Sequence, residues 1–320
     1  MNYRIKFLFI FILFLSISAK RGNSILVSDV RLVYSTVLGK HSDFKEITLS
    51  NNNTKEFEIL SFQISGTNAS SFKLREPETK ILSRNNKAKI AVQFTPSKIG
   101  IEEARLTIEI QGEKPIEITL MGLGTKGLEG KNEPPLADAL KVLGFKIDIG
   151  WTSLGNHTNP ELIGEEISAQ QFKKAKKGPV SIIPVARYSP DFILPFGYYL
   201  NNEENMPELK EIGILAKADE DGHEHQILYP RLEKGNQSFD PGKTIFGIYT
   251  TSPSHTAYTE DYWNEKLFPT HAIHAVRTYP LKDEAGKVIK NAYLICFEEA
   301  KNGDYQDYVF AIYNIVPVEK

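Results

Sequence analysis

Lys89-Ile-Ala-Val-Gln-Phe94 decides the fold, because Ile90, Val92 and Phe94 recur at every second position and so share one face of a strand. The same alternation returns downstream at Ala104, Leu106, Ile108 and Ile110, and again at Ile116, Ile118 and Leu120. One face is dry and the other wet, as in a sandwich. Turn-forming residues separate these runs at Asn51-Asn-Asn53, Asn85-Asn86, Pro96 to Gly100 and Gln111-Gly-Glu-Lys-Pro115, the short spacing of an antiparallel two-sheet fold. Residues 25–125 are therefore expected to form one β-sandwich. Pro96 suits a strand end because it donates no ladder hydrogen bond, Gly100 permits the reversal into the next strand, and Gly122 and Gly124 are expected to end the last one.

Four segments of this half carry a family resemblance: Leu49-Ser-Asn-Asn, Ile64-Ser-Gly-Thr-Asn-Ala-Ser-Ser-Phe72, Val92-Gln-Phe-Thr-Pro-Ser-Lys-Ile-Gly100 and Leu120-Met-Gly-Leu-Gly124. In order and spacing they resemble the Hydin-type, or ASH, immunoglobulin-like domains. The resemblance covers about a third of the chain. It implies a scaffold or docking role and no catalytic activity.

Residues 126–135 read as a linker, with glycines, the pair Pro134-Pro135 and alternating charge but no apolar period. A short helix is expected at Leu136 to Leu143, where Leu136, Leu140 and Leu143 recur at helical spacing before Gly144. Residues 136–320 form the second unit. Its apolar runs, Val180 to Val185, Ile193 to Leu200, Ile212 to Ala216, Gln226 to Tyr229, Thr244 to Tyr249, Ala272 to Tyr279, Ala292 to Phe297 and Tyr308 to Val316, suit a second sandwich or jelly roll. Glu165 to Lys177 is the other helix-like segment, with Ile167 and Phe172 facing inward and the lysines at 173, 174, 176 and 177 forming a solvated C-terminal end. The fold class is all-β with one or two short helices. Pro195-Phe-Gly-Tyr198, Phe239-Asp-Pro-Gly242 and Asn302-Gly-Asp-Tyr-Gln-Asp-Tyr-Val-Phe310 loosely resemble C-terminal β-domains of exported bacterial proteins. They are also similar to a bacterial domain of unknown function in which such an acidic segment is thought to hold calcium, although Gln306 stands where that pattern more often has Asn.

Residues 1–19 read as an export signal, with Arg4 and Lys6 before the apolar run Phe7 to Leu15 and the small residues Ser16 to Ala19. The apolar stretch is shorter than a bilayer requires, and no later segment could cross one. An exported location, extracellular, periplasmic or at the cell surface, is the expectation. With 320 residues and a formal charge of -2, the chain has room for two self-sufficient cores and no field for steering nucleic acid. Cys296, the single cysteine, rules out an intrachain disulfide and reads as a small buried apolar residue. The triplets at Asn52, Asn68, Asn156 and Asn236 fit the glycosylation pattern, which chance also produces in a chain rich in Asn, Ser and Thr.

The acids around the last turn are the foremost site candidates. Glu298 and Glu299 end one apolar run and Asp304 and Asp307 precede the next, and carboxylates this close repel unless a cation or water separates them. Neighbouring strand residues point to opposite faces, so only one glutamate can join the aspartates. Glu298, Asp304 and Asp307 are thus the candidate calcium ligands, with Asp240, Glu260 and Asp261 as further oxygens if their loops meet. Asp240-Pro-Gly is equally a turn sequence. His223 and His225 could share a strand face and chelate, whereas His271 and His274 would diverge; no third zinc ligand is evident. Tyr258, Tyr262 and Trp263, set among polar residues in an expected loop, are the candidate ligand-stacking aromatics. No nucleophile elbow or phosphate-binding glycine loop is present.

These features describe an exported, non-enzymatic binding or scaffold protein with a protein or carbohydrate partner and a calcium-stabilised second unit. Two alternatives stand beside it. A glycoside hydrolase would need two acids, one with a raised pKa, facing each other in an aromatic cleft. A structural spacer would need no such cleft.

Overall fold

The computed structural model describes residues 25–84, 86–155, 157–201, 206–217 and 225–318. The export-signal segment 1–19, Asn156 and His223 lie outside them. No helix among the described residues is long and apolar enough to cross a membrane.

The first half folds as β1 (Ile25–Val27), β2 (Arg31–Val37), β3 (Lys45–Asn51), β4 (Phe57–Ser65), β5 (Phe72–Arg75), β6 (Ile81–Leu82), β7 (Lys87–Phe94), β8 (Gly100–Ile110) and β9 (Ile116–Thr125). Two sheets result, β1-β3-β7-β5 and β2-β9-β8-β4-β6, with β2 running parallel to β9. Ile47, Leu49, Ile90, Val92 and Phe94 from one sheet meet Leu106, Ile108, Ile118 and Leu120 from the other in a single core. This is an immunoglobulin-like sandwich, built on the alternation of residues 89–120. Gly122 and Gly124 do not end β9, which runs through Thr125. They are needed for close approach: a Cβ on Gly122 would lie 2.2 Å from the Phe94 ring, and one on Gly124 would lie 2.2 Å from the Lys98 carbonyl oxygen. The turn after β7 is latched by buried Glu102, which accepts hydrogen bonds from the hydroxyls of Ser71 and Ser97, both 2.6 Å, and from the Ser97 backbone at 2.7 Å.

Helix α1 (Leu136–Leu143) follows, ended by Gly144 at φ 83°. Leu136, Ala139, Leu140, Val142 and Leu143 are buried. A left-handed residue after a helix costs glycine least, which explains the stop.

The second half contains β10 (Phe172–Lys174), β11 (Val180–Tyr188), β12 (Leu194–Asn201), β13 (Pro207–Leu215), β14 (Gln226–Leu228), β15 (Leu232–Gly235), β16 (Ser238–Phe239), β17 (Gly247–Thr251), β18 (Thr256–Tyr258), α2 (Asp261–Leu267), β19 (Val276–Lys282), β20 (Val288–Phe297), β21 (Tyr308–Tyr313) and β22 (Ile315–Pro317). One sheet runs β14-β11-β21-β20-β19, with β16 also on β11; another runs β15-β13-β12-β17-β18; β10 and β22 pair separately. The expected helix at Glu165 to Lys177 does not form. Phe172 is instead fully buried in β10, which pairs with β22 from Phe172 opposite Pro317 to Lys174 opposite Ile315. Tertiary pairing overrides the weak 3.6-residue pattern there.

The sheet containing β20 and β21 is covered on both faces, which accounts for its unbroken apolar runs. Ile295, Phe297, Tyr308, Phe310 and Ile312 face the β12-containing sheet across one core. Leu294, Cys296, Val309 and Ala311 face the other way, into a core shared with α1 and with Val33, Met121 and Leu123 of the first sandwich. The two sandwiches therefore meet through packed side chains. Cys296 is fully buried, as its run implied.

A candidate metal centre in the turn between the last two long strands

Strands β20 and β21 are antiparallel neighbours, with Phe297 opposite Tyr308, so residues 298–307 must leave the sheet and return to the same place. Gly303 at φ 71° and Tyr305 at φ 57° supply the reversals. A Cβ on Gly303 would lie 2.4 Å from the His157 amide nitrogen, so this position requires glycine. The Tyr305 ring is buried and its hydroxyl donates to the His274 carbonyl at 2.6 Å, pinning the turn to the sandwich.

The rest of the turn is organised by its own carboxylates. Glu298 accepts from the backbone N–H groups of Ala300 at 2.8 Å, Asp304 at 2.9 Å and Tyr305 at 3.4 Å. Asp307 accepts from the Glu299 amide at 2.5 Å, and Asp304 from the Asn302 side chain at 2.5 Å. These bonds draw Glu298, Asp304 and Asp307 together, with one oxygen from each lying within 4.8 Å of the others. All three residues are buried. Glu299 points to the opposite side, where it accepts from the Tyr308 hydroxyl at 2.5 Å. Alternation allowed only one of the two glutamates, and the structure places Glu298 in the cluster.

Three buried carboxylates at this spacing resist ionisation. Burial, and then the charge of Asp304, raises Glu298 to about 7; burial raises Asp304 to about 6. Burial, followed by the charges of Glu298 and Asp304, holds Asp307 well above the ordinary aspartate value. None of the ion pairs among the described residues involves these acids. Arg187 lies near enough to feel Asp307, but its guanidinium is committed to Ser189 and to the carbonyls of Ala216, Pro190 and Phe192. Asp304, only 2% exposed, leaves its Oδ1 without a hydrogen-bond partner, and so does Gln306 its Oε1. Three buried carboxylates with no neutralising base, an unpartnered carboxylate oxygen on Asp304 and an unpartnered neutral amide oxygen on Gln306 form an all-oxygen donor set of the kind a hard divalent cation takes. Calcium, which binds six to eight oxygens in flexible geometry, fits better than zinc, since the cluster holds no nitrogen or sulfur donor.

The remaining candidates do not join this centre. Asp240 is an exposed turn residue paired with Lys174 at 2.5 Å, and its Oδ1 also accepts from the Gly242 amide at 2.9 Å. Glu260 is occupied by Tyr199 and Asn201 at 2.9 Å and by Gln171 at 3.0 Å. Tyr258 and Trp263 are not exposed stacking residues in a loop. They end β18 and sit in α2, and both are buried with Tyr199 and Tyr249. The Trp263 indole N–H donates to Asn201 at 2.9 Å, while Tyr262 alone of the three is exposed. Successive residues of a helix point about 100° apart, so Trp263 faces the sheet while Tyr262 faces solvent, which a loop reading could not anticipate. His225 is buried apart from the triad, and His271 stacks on His255 with ring centroids 4.1 Å apart.

A second polar cluster escaped sequence reasoning because its members are distant in the chain. His274 bonds Asp261 through Nδ1 at 3.1 Å and Glu166 through Nε2 at 2.9 Å, and the fully buried Arg277 pairs with the other oxygen of Glu166. Burial opposes a charge on His274, but the hydrogen bonds and charges of Asp261 and Glu166 outweigh it and raise its pKa to about 9. Arg277 also bonds the carbonyls of His157 at 2.5 Å and Asn159 at 2.6 Å, tying the 157–166 loop to β19. The quartet, two acids and two bases, balances itself. It borders a groove of about 580 Å³ that Glu166, Asp261, His274 and Tyr293 help to line, and there both acids are bonded to His274.

No family model and no curated protein matches the chain. Among solved structures it is similar to an ASH / PapD-like domain of human CEP192 (PapD-like domain 7), at 15% identity and a TM-score of 0.27, over 33% of this chain and 88% of that one. It is also similar to the YadV chaperone, at 12% identity and a TM-score of 0.29 over 74% of this chain and 100% of that one. A third similarity is to the periplasmic chaperone SfaE, at 9% identity and a TM-score of 0.28 over 73% and 98%. The first is the domain type that the four segments between Leu49 and Gly124 resemble.

Proposed function

We propose that the chain is a non-enzymatic binding or scaffold protein, acting at or outside the cell surface on a protein or carbohydrate partner, whose second sandwich is stabilised by calcium at Glu298, Asp304 and Asp307. The observation that carries the calcium reading is the convergence of three buried carboxylates within 4.8 Å, with Asp304 Oδ1 unpartnered. Three negative charges around a doubly positive ion leave one net charge, instead of three that repel in a low-dielectric site. Backbone carbonyls and waters would complete the shell. The binding role is supported by a fold that offers sheet faces and loops on a firm core, and by acids that are engaged internally at Glu166, Glu260 and Asp261.

Thermal unfolding of the whole chain with calcium or with EGTA tests the reading. Calcium at a hundred times its dissociation constant adds about 2.7 kcal/mol to stability. That gain should disappear in both Asp304→Asn and Asp307→Asn. An unfolding temperature indifferent to calcium would remove the centre from the functional account.

A further inference from the structure

Gln306 lies between two of the three acids, so any ion held by the turn also fixes its backbone. Its side chain lies close enough to the Asp304 carboxyl to favour the ionised form and reaches on from the turn, where Nε2 donates to Glu133 Oε2 at 3.2 Å. Glu133, in the segment that joins the sandwiches, receives a second amide bond from Gln226 at 2.8 Å on its other oxygen. All three side chains are buried. Gln226 opens β14, whose Leu228 amide donates to the Ser35 hydroxyl of the first sandwich at 3.0 Å. Glu133 itself precedes Pro134, Pro135 and α1, whose apolar face fills the core shared with Val33, Met121 and Leu123. The acidic turn is thus joined to the interface between the sandwiches by buried hydrogen bonds from Gln306 and Gln226 to Glu133, with the backbone of β14 carrying the link on to Ser35.

We propose that a cation in the acidic turn tightens the joint between the two sandwiches, acting through Gln306 and Glu133. The inference rests on the calcium reading above. Its physics is local: the ion fixes the turn that positions Gln306 against Glu133, and although burial is the main force against an ionised Glu133, the charge of Asp304 adds to it, a field that an ion bound to Asp304 cancels. Glu133 then accepts from Gln226 and Gln306 as a carboxylate, and hydrogen bonds to an ionised acceptor are roughly twice as strong as neutral ones. Because such coupling is reciprocal, weakening the joint at Gln306 weakens cation binding by the same factor. Gln306 and Glu133 are positioning residues here; neither needs to touch the ion.

The test combines calorimetric titration of the whole chain with calcium chloride and hydrogen–deuterium exchange in excess calcium or EGTA. Calcium should slow exchange in α1 and β14 by about fivefold or more, the low end of typical coupling, and not only in residues 298–310. Gln306→Ala should still bind calcium, about fivefold more weakly, while losing the effect on α1. Glu133→Gln, which keeps the shape and removes the charge, should behave likewise if Gln306→Ala fails to fold. Calcium binding with protection confined to 298–310, or α1 protection that survives in these variants, would overturn the coupling and leave the cation site standing. Absence of calcium binding would overturn both.

Discussion

Replacing Asp304 with asparagine should stabilise the calcium-free protein, although it destroys a proposed ligand. At alkaline pH the native chain must keep Asp304 ionised in a buried site beside Glu298 and Asp307. Its carboxyl is raised from the usual 3.8 to about 6, and at 1.36 kcal/mol per pH unit this corresponds to about 3 kcal/mol of destabilisation once the group is fully ionised. Asparagine has the same shape and can still accept from Asn302, and its amide can donate where Oδ1 now has no partner. The sign follows from linkage: an acid whose folded pKa is raised binds protons more tightly when folded, so stability falls as pH rises from about 4 through 6 and stays low above. In EGTA at pH 8, Asp304→Asn should therefore unfold several degrees above the native chain, and the gap should shrink to about a third of that near pH 4.5. Adding calcium should reverse the order, because only the native turn then gains. Circular dichroism melts at the two pH values decide the matter. A variant less stable than the native chain in EGTA at pH 8, or a gap that does not change with pH, would refute the electrostatic reasoning.

Three further outcomes are expected. Gly122→Val should destabilise the first sandwich by about 1–3 kcal/mol in chemical denaturation, because its first side-chain atom would collide with the Phe94 ring. Trp263→Ala should cost about 3–5 kcal/mol and Tyr262→Ala no more than about 0.5 kcal/mol, since one side chain is buried and the other exposed; equal effects would place the aromatics differently from the structure. His274 holds a pKa of about 9 against its carboxylates, so its contribution is complete below about 6.5 and is lost as pH rises through 9. His274→Asn should consequently flatten the fall in stability between pH 7 and 9, measured in the same melts.

Much of the architecture was legible because it depends on local periodicity. The alternation from Lys89 to Leu120 corresponds to β7, β8 and β9, and the leucines at 136, 140 and 143 to α1, ended by Gly144 as its position suggested. The segment 165–177 was misread because a few apolar residues with helical spacing say little when a strand elsewhere offers a partner; β22 lies too far along the chain to be seen from β10. Tyr258 and Trp263 are buried against expectation for a related reason, since composition does not reveal which side of a short helix meets the sheet, whereas Tyr262 is exposed as expected.

The acidic turn shows the division most clearly. The sequence by itself determined that Glu298, Glu299, Asp304 and Asp307 fall within ten residues between two apolar runs; the pairing of Phe297 with Tyr308 that draws Glu298, Asp304 and Asp307 together belongs to the tertiary structure. The sequence also marked Ala292 to Phe297 and Tyr308 to Val316 as apolar runs, but their burial on both faces was decided by the cores on either side of the sheet. Only the tertiary structure decided that the acids would be buried and lack a base, because Arg187 is held by backbone carbonyls. It alone brought Glu133 to Gln306 and assembled Asp261, His274, Glu166 and Arg277. Periodicity acts over neighbouring residues and can be read along the chain, whereas burial and charge pairing depend on which distant segments share a core.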